Sequence, residues 1–306
     1  MIKSITVTNY LGDSINLDLA RPELSGFIVK SITGLGPGAA TINITDVSTN
    51  DGGLFNSSRL SSRNIVISLE FLSKDIYTIE DIRQRSYKYF PIKKKLKLLI
   101  ETDNRKAEIE GYVESNDPEI FSEKEGSDIS IICPNPFYYS AEGDGKNITI
   151  LNGIQSMFEF PFSNDSLTEN LLEIGSIKHQ IEQTIVYDGD SETGITIIIH
   201  AIGEASNITI YNTGTRDIMY INTDELKKLT GSGIVTGDDI VICTEKGSKS
   251  INLIREGDTI NILNCLAKNS NWFHLNKGDN IFAYTAETGA SNLQFTIENR
   301  ILYEGV

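Results

Sequence analysis

Residues 65–71 read Ile-Val-Ile-Ser-Leu-Glu-Phe, and this stretch indicates the fold class of the whole chain. Branched and aromatic side chains at alternating positions are typical of a strand with a buried face, because successive side chains point to opposite sides. A similar stretch, Ile-Thr-Ile-Ile-Ile-His, occupies residues 195–200. Both parts of the chain are therefore expected to contain β-sheet.

The composition supports this interpretation. Isoleucine occurs 45 times and alanine only 11 times among the 306 residues. Isoleucine is stiff at its branched β-carbon and suits a pleated sheet, whereas alanine is the best helix former. With 39% hydrophobic residues the chain can bury a sizeable core. We therefore expect a mainly β protein with about two domains.

The charge is strongly negative and unevenly distributed. Lys and Arg total 27 and Asp and Glu total 42, for a net charge of −15. Residues 1–140 carry 16 basic and 19 acidic side chains, and residues 141–306 carry 11 and 23. So acidic a chain is repelled by phosphate backbones and anionic lipids, and no run of 18 apolar residues is present. We expect neither nucleic-acid binding nor a membrane span.

Local signals predict helices and a boundary between two domains. Thr78 is placed to cap a helix, Asp81 follows three residues later, and Pro91 prevents continuation. A shorter helix is predicted over residues 223–229, with Gly231 as its stop. The stiff segment Cys133-Pro134-Asn135-Pro136 then suggests a boundary, so we predict domains at 1–140 and 141–306.

The sequence offers little catalytic chemistry. Nucleotide-binding, metalloprotease and serine-hydrolase motifs are absent, and the three cysteines are far apart. The three histidines, His179, His200 and His274, are at least 20 residues from one another. We therefore predict no catalytic site, metal or cofactor. A catalytic pair of carboxylates of the glycoside hydrolase type cannot be recognised from a sequence, because the distance between the two groups depends on the three-dimensional structure.

The single tryptophan, Trp272, has two interpretations. Phe273 and Leu275 beside it favour a role in the hydrophobic core. An exposed Trp272 would instead suit stacking on a sugar, and would indicate a carbohydrate-binding module.

The order of several motifs along the chain resembles a known family. In the first part the motifs are Gly34-Leu35-Gly36-Pro37-Gly38, Asp51-Gly52-Gly53-Leu54-Phe55, the segment 81–91, Gly111-Tyr112-Val113-Glu114 and the segment 130–137. In the second part they are the segments 237–244, 247–251 and 271–280 and the stretch Tyr303-Glu304-Gly305-Val306. This order is similar to that of the distal tail protein (Dit) family of phages, which includes related baseplate hub proteins.

The resemblance implies a fold and a role. The expected fold is an N-terminal β-sandwich or split-barrel-like hub domain with one helix, followed by a galectin-like β-sandwich, or jelly roll. The expected role is structural: a hexameric ring in the virion that joins the tail tube protein to the tail-associated tip protein. The outer domain would offer a docking platform for peripheral proteins, with the tape measure and receptor-binding proteins as further possible partners. No enzymatic activity is implied. The alternative is a carbohydrate-binding adhesion module that uses the galectin-like sandwich and Trp272.

Candidate interface residues lie in two places in the first part. The turn-rich stretch 34–63 contains Leu54 and Phe55 among polar neighbours, and Phe55 suits either an anchor at a subunit interface or a locally buried position. Arg59 and Arg63 would pair with an acidic neighbour or lie on an exposed strand edge. Lys93, Lys94 and Lys95 form either a solvated turn or a positive rim that meets an acidic partner.

Overall fold

The computed structural model describes residues 1–46, 51–73, 77–143, 145–150, 153–156, 175–178 and 182–306. The chain divides into two compact units. Unit 1 contains Met1–Gly145 together with Leu302–Val306, and unit 2 contains Lys146–Ile301. The division thus falls near the predicted boundary at 140, but it returns the segment after residue 301 to unit 1.

Unit 1 is built around one large antiparallel sheet. Its first ten strands are β1 (Ile2–Asn9), β2 (Ser14–Asp18), β3 (Phe27–Thr33), β4 (Ala40–Asp46), β5 (Gly53–Leu60), β6 (Arg63–Phe71), β7 (Lys95–Thr102), β8 (Lys106–Glu119), β9 (Gly126–Cys133) and β10 (Tyr138–Ser140). The pairing order in the large sheet is β2-β1-β7-β8-β9-β6-β3. Strands β4 and β5 stand apart as a two-stranded sheet of their own.

The helix α1 (Ile79–Tyr89) of unit 1 forms where the sequence predicts it. Thr78 accepts a hydrogen bond from the Asp81 backbone N–H, and the Asp81 carboxylate accepts one from the Thr78 backbone N–H. This reciprocal pair is a capping box, and it satisfies amide donors that the first helical turn leaves free. Ile82 and, just after the helix, Phe90 are buried and help to form the core. The predicted helix and its cap are confirmed.

The described part of unit 2 contains two larger sheets. Its strands are β11 (Asn147–Ile150), β12 (Gly153–Ser156), β13 (Gly175–Lys178), β14 (Glu182–Tyr187), β15 (Ile195–Ala201), β16 (Ser206–Asn212), β17 (Asp217–Ile221), β18 (Asp239–Cys243), β19 (Ser250–Arg255), β20 (Asp258–Asn261), β21 (Gly278–Thr288) and β22 (Leu293–Asn299). One sheet has the order β11-β22-β15-β18-β19-β20 and the other has β14-β21-β16-β17, while β12 pairs with β13 alone.

The two larger sheets of unit 2 share one hydrophobic core, as in a β-sandwich. Ile197 and Phe295 of the first sheet and Ile210 and Tyr284 of the second belong to the same buried cluster. The rings of Tyr284 and Phe295 stack across it, with centroids 3.8 Å apart. The helix α2 (Thr223–Thr230) follows β17 and ends at Gly231, whose φ of 83° gives the left-handed conformation common at helix ends.

The last strand, β23 (Leu302–Tyr303), returns to unit 1. It pairs with β10, and β10 in turn pairs with β8, so both belong to the large sheet. The mainly β fold with several antiparallel sheets, predicted from the sequence, is confirmed.

Candidate functional site

The β4–β5 hairpin of unit 1 is the most exposed regular element among the described residues. Every residue of β4 is exposed, as is every residue of β5 except the last. Four large apolar side chains are among them: Ile42 and Ile44 are each 58% exposed, and Leu54 and Phe55 are each 63% exposed. Phe55 is thus exposed and not locally buried, and its role as an anchor at a subunit interface stays a prediction.

The register of the hairpin sorts these side chains onto two faces. Ile44 stands opposite Phe55, and Ile42 lies two residues before Ile44 on the same strand. Residues directly opposite each other share a face of the sheet, as do residues two apart. Ile42, Ile44 and Phe55 therefore form one continuous patch, which we call the apolar face. Gly53 lies at its end, so close to Ile44 that any larger side chain would collide with it.

The other face of the hairpin is polar. Asn43 donates a hydrogen bond to the Ser57 hydroxyl at 2.9 Å, and Asn56 donates one to the Thr45 hydroxyl at 2.6 Å. Leu54 and Arg59 lie on this side, because their opposite residues are Thr45 and Thr41. The hairpin is therefore amphipathic, although none of the described residues of unit 1 covers its apolar face.

Arg63 requires a correction. It was predicted to pair with an acidic neighbour or lie on an exposed edge, but it is only 5% exposed. Its guanidinium donates hydrogen bonds to four backbone carbonyl oxygens, those of Gly34, Gly36, Pro136 and Glu304. A buried guanidinium needs such partners, because an unpaired buried charge is strongly unfavourable. Arg63 is not a surface residue available to a partner.

The structure instead makes Arg63 the anchor of the hairpin. It is the first residue after the hairpin's second strand and its short link, and Gly34 and Gly36 lie in the segment that leads into the first strand. Gly34 has a φ of 83°, and a side chain there would strike the Asn64 carbonyl. The guanidinium also lies 4.7 Å from the centre of the Tyr138 ring. Arg63 thus holds both ends of the hairpin against the body of unit 1.

The lysine cluster lies elsewhere in unit 1, and its members have different partners. Lys95 forms an ion pair with Glu110, with 2.8 Å between Nζ and Oε2. This contact raises the pKa of Lys95. The Lys94 ammonium lies 5.2 Å from the centre of the Tyr10 ring. Neither Lys93 nor Lys94 takes part in an ion pair with another described residue.

Trp272 of unit 2 is partly buried and packs against the hydrophobic cluster. The Lys249 ammonium lies 5.2 Å from its ring centre, an ordinary cation–π arrangement. Its neighbours Phe273 and Leu275 are fully buried. This packing favours the core interpretation of Trp272.

No group of three or more potential metal ligands converges among the described residues. His200 contacts Asp239, with 2.7 Å between Nδ1 and Oδ1, and the two residues lie opposite each other on β15 and β18. His274 is partly buried beside the core, and His179 lies outside the described residues. Within the described ranges, no helix is long and apolar enough to cross a membrane.

Known structures resemble the chain, although no protein-family model and no curated protein sequence matches it. The crystal structure of the Dit protein of phage SPP1, described as a hub of the adsorption apparatus of phages that infect Gram-positive bacteria, aligns with a TM-score of 0.63 at 12% identity. The alignment covers 97% of this chain and 99% of that one. A chain of the phage P2 baseplate in its activated conformation with calcium aligns at 13% identity and a TM-score of 0.48, over 98% of each chain. The resemblance predicted from the motif order is thus confirmed for the fold: the chain has the fold of the phage Dit hub proteins.

Proposed function

We propose that the protein is a structural component of a phage tail tip, a hub whose unit 1 assembles into a ring of identical subunits. Its fold agrees over nearly its whole length with that of SPP1 Dit, a hub protein. A closed ring requires each subunit to present a surface that another copy covers. In the proposed assembly the ring contains six copies and joins the tail tube protein to the tip protein.

The observation that carries this proposal is the apolar face of the β4–β5 hairpin. A two-stranded hairpin is only marginally stable by itself in water, and exposed apolar side chains favour burial. Here three large apolar side chains are aligned and uncovered, while the root of the hairpin is fixed by Arg63. A rigidly anchored, uncovered apolar face is typical of a protein–protein contact.

A structural role also agrees with the polar chemistry of the chain. Within the described residues, the perturbed groups are explained by caps, ion pairs and buried neighbours, as for Lys95 beside Glu110 and Tyr138 inside unit 1. The packing of Trp272 against the core favours the core interpretation over the carbohydrate-binding alternative. We therefore propose assembly, and not catalysis or sugar binding, as the function.

Negative-stain electron microscopy of the purified chain, alone and mixed with the tail tube protein of the same phage, tests the proposal. Six-fold rings with an open centre are expected in at least one of the two samples. Rings that form only in the mixture would mean that the tube templates assembly. If the protein remains monomeric in both samples even at high protein concentration, the proposal is overturned.

A further inference from the structure

We propose that the apolar face of the hairpin docks on one particular surface of a second copy, which we call the lysine–tyrosine patch. This inference rests on the proposed function and names the partner of the hairpin within the ring. The patch is formed by residues that are all exposed and belong to unit 1: Tyr10, Leu11, Lys88, Ile92, Lys93, Lys94, Lys95 and Tyr112.

Contacts between three segments hold this part of the patch together. The Asn9 side chain donates a hydrogen bond to the Lys88 carbonyl oxygen at 3.1 Å, which fixes the β1–β2 turn against the end of α1. Lys88 also forms an ion pair with Asp13 at 3.0 Å. Lys94 extends over the Tyr10 ring. The patch is therefore a preorganised surface of defined composition, which reduces the entropy lost on binding.

Strand pairing adds Tyr112 to the same surface, and Ile92 adjoins it through the chain. Tyr112 of β8 lies directly opposite Lys95 of β7, so the two side chains share a face. Ile92 is exposed and directly precedes Lys93 in the chain. Tyr10, Leu11, Ile92 and Tyr112 are between 46% and 68% exposed, so the patch has an apolar centre with a lysine rim. This composition is common at the core and rim of protein interfaces.

The hairpin complements this patch in both polarity and charge. Its apolar face matches the apolar centre, and its turn carries acidic but no basic side chains: residues 40–58 contain Asp46 and Asp51 and no Lys or Arg. The patch in turn offers Lys93 and Lys94, which have no ion-pair partner among the described residues. Opposite charges at the rim guide partners into one orientation and exclude contacts between two like surfaces.

The positions of the two surfaces suit a head-to-tail contact. The hairpin joins the large sheet at the start of β6. There Asn64 of β6 pairs with Ile132 of β9, Ile132 pairs with Tyr112 of β8, and Tyr112 pairs with Lys95 of β7. The root of the hairpin and the patch thus lie at the same end of the sheet, and the patch begins two strands away from β6 in the pairing order. Two different surfaces at the same end of a subunit can bind each other in successive copies and so close a ring.

The test uses two variants that each damage one surface. Phe55→Asp places a charge in the apolar face, and a double variant, Lys93→Glu with Lys94→Glu, reverses the charge of the patch. All these side chains are exposed, so the folded monomer should be retained, as circular dichroism and the melting temperature will report. A control double variant in unit 2, Lys246→Glu with Lys268→Glu, changes exposed residues and the net charge by the same amount.

Light scattering during size-exclusion chromatography, at a concentration where the wild type forms rings, gives the readout; the tube protein is added if it is needed for assembly. Each of the two damaged variants alone should lose rings, with association at least tenfold weaker, while the control assembles normally. An equimolar mixture of the two should give dimers and nothing larger, because it contains one intact hairpin and one intact patch per pair. Asp46→Lys with Asp51→Lys, added to the patch variant, should restore rings.

The outcomes separate this inference from the proposed function. Wild-type monomers with and without the tube protein would overturn the proposed function and the inference together. Wild-type rings accompanied by normal rings of the patch variant would overturn the inference alone. The same holds if the mixture stays monomeric, or if the patch variant forms rings but no longer binds the tube protein, since the patch would then face the tube.

Discussion

Arg63 donates a hydrogen bond of 2.7 Å from Nη2 to the carbonyl oxygen of Glu304, a residue 241 positions further along the chain. The same guanidinium also donates hydrogen bonds to the carbonyl oxygens of Gly34 and Pro136, so one side chain links three distant segments of unit 1. We expect Arg63→Ala to destabilise unit 1 by about 3 kcal/mol, because several buried carbonyl oxygens lose a charged donor at once.

Arg59→Ala is the matched control for this change. Arg59 lies on the exposed hairpin, and its loss should alter the free energy of unfolding by less than about 0.5 kcal/mol. Urea unfolding of both variants, followed by a probe within unit 1, gives the comparison. Equal stability of the two variants would show that the Arg63 hydrogen bonds do not anchor the hairpin.

The three cysteines provide probes for the two units. Cys133 in unit 1 and Cys265 in unit 2 are buried, and burial raises the pKa of both thiols, that of Cys133 to about 11. The reactive species is the thiolate, so both should react slowly in the native protein. At pH 8 a thiol reagent should label the partly exposed Cys243 first, as mass spectrometry of digested protein will report. Rapid native labelling of Cys133 would contradict the packing of unit 1.

Unit 1 should lose stability at alkaline pH. Burial raises the pKa of Cys133 to about 11 and that of Tyr138 to about 12, above ordinary values of about 8.5 and 10. Groups with a raised folded pKa favour the folded state below the unfolded pKa, and this contribution is lost as the pH rises toward the folded value. The urea midpoint of unit 1 should therefore fall between about pH 8.5 and 12.

Tyr138→Phe separates the two contributions. This substitution removes the phenol that ionises, so the urea midpoint of unit 1 should decline less steeply above about pH 10. It also removes a 3.3 Å hydrogen bond to the Gly34 carbonyl oxygen. A midpoint that does not change with alkaline pH in the wild type would argue against the burial of both groups.

The two faces of the hairpin can be compared through neighbouring residues of equal exposure. Leu54 and Phe55 are each 63% exposed, but they point to opposite faces. Phe55→Asp should abolish ring assembly, whereas Leu54→Asp should weaken it severalfold at most, since its face is already polar. Sedimentation of both variants measures the difference. Equal losses would mean that the partner covers both faces.

Trp272→Ala should destabilise unit 2 by about 2 kcal/mol, because a partly buried aromatic ring leaves the core. Leu229→Ala, at a half-exposed position on α2, is the control and should change stability by less than about 0.5 kcal/mol. Thermal unfolding followed by Cys265 labelling reports on unit 2. A glycan-array signal that disappears in Trp272→Ala without any loss of stability would restore the carbohydrate-binding alternative.

Elements governed by local chemistry were predictable from the sequence. The Thr78–Asp81 cap and the strand at 65–71 depend on neighbouring residues and on alternation, which the sequence displays directly. The exposed apolar pair Leu54 and Phe55 also stood out from polar surroundings. The order of weak motifs was enough to indicate the fold, because it reflects the arrangement of turns between strands.

Features that depend on distant pairing were not predictable. The partners of Arg63 lie at residues 34, 36, 136 and 304, so its sequence neighbours give no indication of its burial. Likewise, Lys95 meets Glu110 only because β7 and β8 pair in one register. A bulge in β5 between Phe55 and Ser57 breaks the simple alternation, and for this reason the two faces of the hairpin could not be assigned from sequence.

The return of residues 302–306 to unit 1 also governs when that unit can be completed during synthesis. Unit 2 is an insertion between the two parts of unit 1, so the ribosome must translate all of it before β23 can pair with β10 and before Glu304 can reach Arg63. A nascent or prematurely terminated chain lacks this closure. Unit 1 can therefore be completed only after the whole of unit 2 has been synthesised.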